Sequence, residues 1–68
     1  MNKTDVLTGR IVQRVIDAKA TSSKAAIIHG VEISYKTDEL IDNLFYFFPD
    51  SSITFKKLKY GYELKIEV

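Results

Sequence analysis

The chain lacks cysteine and tryptophan altogether and has a single histidine, a single proline and three glycines among its 68 residues. Without cysteine it has no disulfide staple, no thiolate metal site and no cysteine nucleophile. With His29 as the only imidazole, no HExxH motif or second histidine exists to build a zinc site, and no glycine-rich phosphate loop or GxSxG turn appears. The longest apolar run is Leu44 to Phe48, far below the roughly 20 residues that span a bilayer. Asp5, Arg10 and Arg14 interrupt the first residues, so a secretory signal is not expected and the predicted location is cytoplasmic.

What is present is a 46% hydrophobic, 28% charged chain of net charge +1 with eight aromatic residues, enough apolar surface to offset ordering entropy in one domain, residues 1–68. A domain of about 60 residues buries only about 60% of its unfolded surface, and its usual supports are disulfides, metals or self-association. The first is gone and the second nearly so, with His29 the only imidazole, so a homo-oligomer is expected. Charge is segregated: residues 1–36 carry plus three, residues 37–55 carry four acids and no base, and residues 56–68 carry plus two. That pattern favours complementarity within or between subunits over a nucleic-acid tract.

Thr4 to about Ala20 has helical spacing, with Leu7, Ile11, Val15 and Ala18 on one stripe, Val12 and Ile16 beside it, and Thr4 as the expected N-cap. Gly9 weakens that helix unless another backbone packs close there or the helix begins after it. Lys24 to Tyr35 is rich in β-branched residues and predicts a hairpin turning at His29-Gly30, pairing Ile28 with Val31 and Ala26 with Ile33; a single long strand 24–35 is the alternative. Thr37 caps a second helix whose Leu40, Ile41, Leu44, Phe47 and Phe48 form one buried face, ended by Pro49. The segment from Ile53 to Val68 predicts a second hairpin. A turn at Tyr60-Gly61 pairs Phe55 with Ile66, and one at Lys59-Tyr60 pairs Phe55 with Leu64. The expected fold is α+β, two helices packed on one face of a small antiparallel sheet in the order α-β-β-α-β-β, or α-β-α-β-β if 24–35 is one strand.

The run Phe45-Tyr46-Phe47-Phe48 exceeds what one helix face can bury, because successive helical residues point about 100° apart. Phe45, Tyr46 and Phe48 are therefore the expected interface residues. Arg10 and Arg14, four apart on the first helix, suit an anion, and two copies about a symmetry axis would double them. Lys56, Lys57 and Lys59 beside Tyr60 and Tyr62 combine cations with stackable rings, a set that suits single-stranded nucleic acid or the guarding of a sheet edge. His29 lacks an orienting partner and a nucleophile nearby in sequence, which leaves it a turn or interface residue. No catalytic constellation, cofactor or metal is implied.

The expected function is thus non-catalytic: a small accessory or regulatory protein, of the kind phages and mobile elements encode, that inhibits or sequesters another macromolecule such as a host protein. Behind it stand an oligomer that binds a small anionic ligand, such as a nucleotide signal, at subunit boundaries through Arg10, Arg14, Lys57, Lys59 and Tyr60. A single-stranded nucleic-acid binder using the Lys56–Tyr62 hairpin ranks third.

Overall fold

Asn2, rather than Thr4, starts the first helix. Its side chain accepts the Asp5 N–H at 2.8 Å, and α1 spans Lys3–Ala20 in the computed structural model, which describes residues 2–29 and 33–68. Thr4 falls inside the first turn, where its hydroxyl lies 3.4 Å from that of Tyr35. An asparagine three residues before the orphan N–H satisfies it as well as threonine would, so the helix starts two residues before the expected position. It also runs straight through Gly9, where an added Cβ would meet nothing within 4 Å, so no close backbone approach explains that glycine.

The C-terminal end of α1 is closed by paired bonds, from the Ser23 N–H to the Ala18 carbonyl at 2.9 Å and from the Ser22 N–H to the Lys19 carbonyl at 3.1 Å. This geometry requires a left-handed residue just past the cap. Ser22 supplies it at φ 59°, a position glycine occupies without steric cost.

Three strands follow, not four, among the described residues: β1 (Ala25–Ile28), β2 (Ile53–Lys57) and β3 (Tyr62–Glu67), with α2 (Asp38–Phe47) between β1 and β2. The order is α-β-α-β-β, and the sheet is antiparallel with β3 in the centre, β1-β3-β2. Neither expectation for residues 24–35 holds in full. Gly30 of the expected turn and Val31, the expected partner of Ile28, lie outside the described residues, but Ala26 pairs with Ile66 rather than with Ile33, and Ile28 pairs with Leu64. The expected long strand stops at Ile28. β-Branched content reflects a fit to a half-buried pleated surface, and here that surface belongs to the distant β3. Ile33 is instead completely buried outside any strand, its carbonyl accepting the Tyr62 N–H at 3.0 Å.

The C-terminal hairpin takes the Lys59-Tyr60 register: Phe55 pairs with Leu64 and Ile53 with Ile66, so the Tyr60-Gly61 turn is overturned. Gly61 is the residue after the tip, at φ 71°, where its carbonyl accepts the Leu58 N–H. The φ that glycine allows is needed at the return to the strand, not at the tip.

Both helices lie on one face of the sheet. Leu7, Ile11 and Val15 of α1 and Leu40 and Leu44 of α2 join Ala26, Ile28, Leu64 and Ile66 in one buried cluster, with Ile53, Phe55, Tyr62 and Phe48 packed against it. The other face carries Ile27, Thr54, Lys56, Lys65 and Glu67, all exposed. The helices are tied by Thr8, almost fully buried, whose hydroxyl donates to the Thr4 carbonyl at 2.8 Å and accepts from Asn43 at 3.1 Å. Asn2 adds a second tie to Glu39 at 3.3 Å. No described helix is long and apolar enough to cross a membrane.

Candidate functional site

Thr37 caps α2 as expected, its hydroxyl accepting the Leu40 N–H at 3.1 Å, and Asp38 and Glu39 occupy the first turn where the helix dipole favours acids. Only Leu40 and Leu44 are fully buried, and Ile41 is half-buried. Phe47, expected on the buried face, is 51% exposed, beside Phe45 at 54% and Tyr46 at 81%. The correction has a local cause. The helix stops at Phe47, and the cap residue Phe48 leaves helical geometry, with φ −129° and ψ 62°, and packs against the core. Of the three expected interface residues, Phe45 and Tyr46 are therefore on the surface, and Phe48 is a half-buried flank of the core. Phe47 is the aromatic that the periodicity concealed. Tyr46 and Phe47 meet edge to face at 5.3 Å, so the exposed rings form a patch rather than scattered side chains.

A groove flanks each side of this helix end. On one side Ile41, Leu44 and Phe45 of α2 face Ile53 and Phe55 of β2, with Lys36 at the rim, around a space of about 220 Å³. The Lys36 ammonium sits 5.3 Å from the centre of the Phe55 ring. On the other side, Phe47 and Asn43 face Asp5, Thr8, Gly9 and Val12 of α1 around about 480 Å³. Glycine at position 9 leaves that second groove open, since no atom of the chain fills the space where a Cβ would stand.

The two arginines part company. Both are exposed, but Arg14 reaches across to β1 and donates to the Ile27 carbonyl at 3.0 Å, while Asp17 accepts from Gln13 at 3.0 Å. Arg10 and Arg14 thus share the exposed surface of α1 one turn apart, with the Arg14 guanidinium engaged on β1. At the C-terminal hairpin the lysines cover their own rings: Lys57 stands 4.6 Å from the centre of Tyr62 and Lys59 5.8 Å from that of Tyr60. Tyr60 is 78% exposed at the tip. Cations and rings are thus paired within the hairpin itself. His29, just past the end of β1, lies 2.8 Å from the Glu63 carboxylate across the sheet. This partner is 34 residues away, so sequence proximity could not have shown it. Among the described residues no group of three or more His, Asp or Glu side chains is placed to hold a metal ion.

No protein-family model matches this chain, and no curated protein or solved structure does so either.

Proposed function

We propose that this chain acts by binding rather than by catalysis, as a small homo-oligomeric accessory protein that inhibits or sequesters another macromolecule. The observation that carries it is the aromatic end of α2: three consecutive rings, Phe45, Tyr46 and Phe47, each more than half exposed and flanked by one apolar and one mixed groove. Aromatic residues are enriched at protein interfaces, and contiguous apolar patches on so small a surface mark docking sites. A chain this short cannot leave three large rings in water without loss unless another surface covers them.

Sedimentation velocity at micromolar concentration tests the oligomer: more than a monomer is expected, and Phe45→Glu shifts it toward smaller species. A stable monomer at high concentration overturns the oligomeric reading. For the engaged macromolecule, native mass spectrometry of protein purified from its own cells is expected to show a stoichiometric complex that Tyr46→Glu loses, and a complex that survives this change removes the aromatic patch from the function.

A further inference from the structure

The sheet has two edges, and they are finished differently. In β1 the pairing with β3 runs through alternate residues, since Val68 donates to the Lys24 carbonyl at 3.0 Å, which leaves the backbone groups of Ala25 and Ile27 pointing away from the sheet. Arg14 satisfies one of those outward groups by bonding the Ile27 carbonyl. In β2 the bond from the Glu67 N–H to the Ser52 carbonyl sets the same alternation, so Ile53, Phe55 and Lys57 turn their N–H and C=O groups outward. Among the described residues nothing bonds to those groups. Beside them lies the groove under Phe45, whose floor is the side chains of Ile53 and Phe55.

We infer that β2 is where a second copy of this chain docks, pairing its own β2 antiparallel about a two-fold axis at Thr54, so that two three-stranded sheets become one of six strands. This rests on the homo-oligomeric reading above and specifies its geometry. The edge is complementary to itself. With the axis at Thr54, Ile53 faces Phe55 of the second copy twice over on the side where the helices lie, and the two Thr54 side chains meet on the other side. The outward backbone groups of positions 53 and 55 then fall opposite one another in hydrogen-bonding register.

Charge selects the same arrangement. The chain entering β2, Asp50-Ser51-Ser52, has an acid and no base, and the chain leaving it carries Lys56, Lys57 and Lys59. Antiparallel pairing about Thr54 lays the first along the second in both copies. Parallel pairing would align lysine with lysine, an axis at Lys56 would oppose the two Lys56 side chains, and an axis at Phe55 would set Lys57 against Ile53 in the apolar row. The two-fold closes the assembly at two chains along this edge, which removes a bare strand that would otherwise template open-ended association. Pairing uses Phe45 at its margin and leaves Tyr46 and Phe47 on the far side of α2 for another partner.

The test exploits the absence of cysteine. Thr54→Cys alters an exposed residue of the outer face, and in the paired sheet the two new thiols would sit across a non-hydrogen-bonded pair with Cα atoms about 4.5 Å apart, within disulfide range. Under oxidised glutathione, Thr54→Cys is expected to give a covalent dimer about tenfold or more faster than Ser23→Cys, an exposed control far from the edge, because held thiols need no collision. Mixing Ser52→Cys with Lys56→Cys should link as well. Ile53→Pro, whose lost N–H faces outward, should leave circular dichroism unchanged and abolish the dimer. An oligomer by sedimentation in which Thr54→Cys links no faster than Ser23→Cys overturns the β2 interface and leaves the oligomeric reading standing; a monomer at all concentrations overturns both.

Discussion

The two edges of one small sheet show how a helix decides what an edge strand becomes. β1 and β2 differ little in length and flank the same central strand, yet β1 lies under α1, which sends Arg14 to its outward carbonyl, and β2 lies beside the end of α2, which offers only apolar side chains. A strand with a polar cap has part of its edge satisfied within its own chain. One with an apolar groove and bare backbone groups is finished by another molecule or not at all.

The comparison breaks most severely at β3, on which both edges depend. Leu64→Ala removes a completely buried side chain that packs between the two edge strands, and a loss of about 2–5 kcal/mol is expected. In a domain of this size that is a large share of the total stability, so urea unfolding should show a partly unfolded chain even without denaturant. A full-strength transition would mean the core closes over the cavity.

Arg14→Ala sharpens the contrast by uncapping β1. A loss of about 1 kcal/mol is expected from the freed carbonyl, with more self-association as the second edge opens, whereas Arg10→Ala should stay within about 0.5 kcal/mol. Equal effects would mean that Arg14 acts by charge alone. Thermal melts at two concentrations separate the outcomes.

α1 and the turn that closes it each carry a residue that trades stability for shape. Gly9→Ala should raise stability by about 1 kcal/mol through helix propensity, because nothing opposes the new methyl group. Ser22→Gly should add up to about 1 kcal/mol by relieving the left-handed backbone. If Gly9→Ala also weakens partner binding, the groove beside Phe47 belongs to the docking surface.

The smallest effect is expected from replacing Lys56, Lys57 and Lys59 together with Gln. Stability should change by no more than about 0.5 kcal/mol, solubility should fall, and oligonucleotide binding should stay as weak as in the parent. A salt-sensitive complex with single-stranded DNA or RNA that the triple variant loses would make this edge a nucleic-acid surface instead.

Each local signal that worked did so because its cause is local. Thr37 with two acids after it caps α2, Pro49 follows its end, and alternation at Ile53–Phe55 and again at Tyr62–Ile66 places one apolar face inward. The aromatic run at 45–48 was legible as surplus for one helix face, since 3.6-residue periodicity cannot bury four consecutive rings. Which rings stay outside was not. Phe47 sits where a longer helix would bury it, and the helix ends there because Phe48 turns inward.

Periodicity, capping and composition by themselves determined the α+β class, both helices, the inward face of the C-terminal hairpin and the excess of aromatic surface, because all of these depend on residues within a turn or two of one another. Tertiary structure decided the partner of β1, the hairpin register, the burial of Ile33 outside any strand, and the different fates of Arg10 and Arg14. Those outcomes depend on contacts between residues tens of positions apart, where β3 competes successfully for pairing and α1 happens to cross one edge and not the other. Short-range preferences worth a few tenths of a kcal/mol cannot select among such arrangements when burial of each core side chain is worth about 1.5–3 kcal/mol.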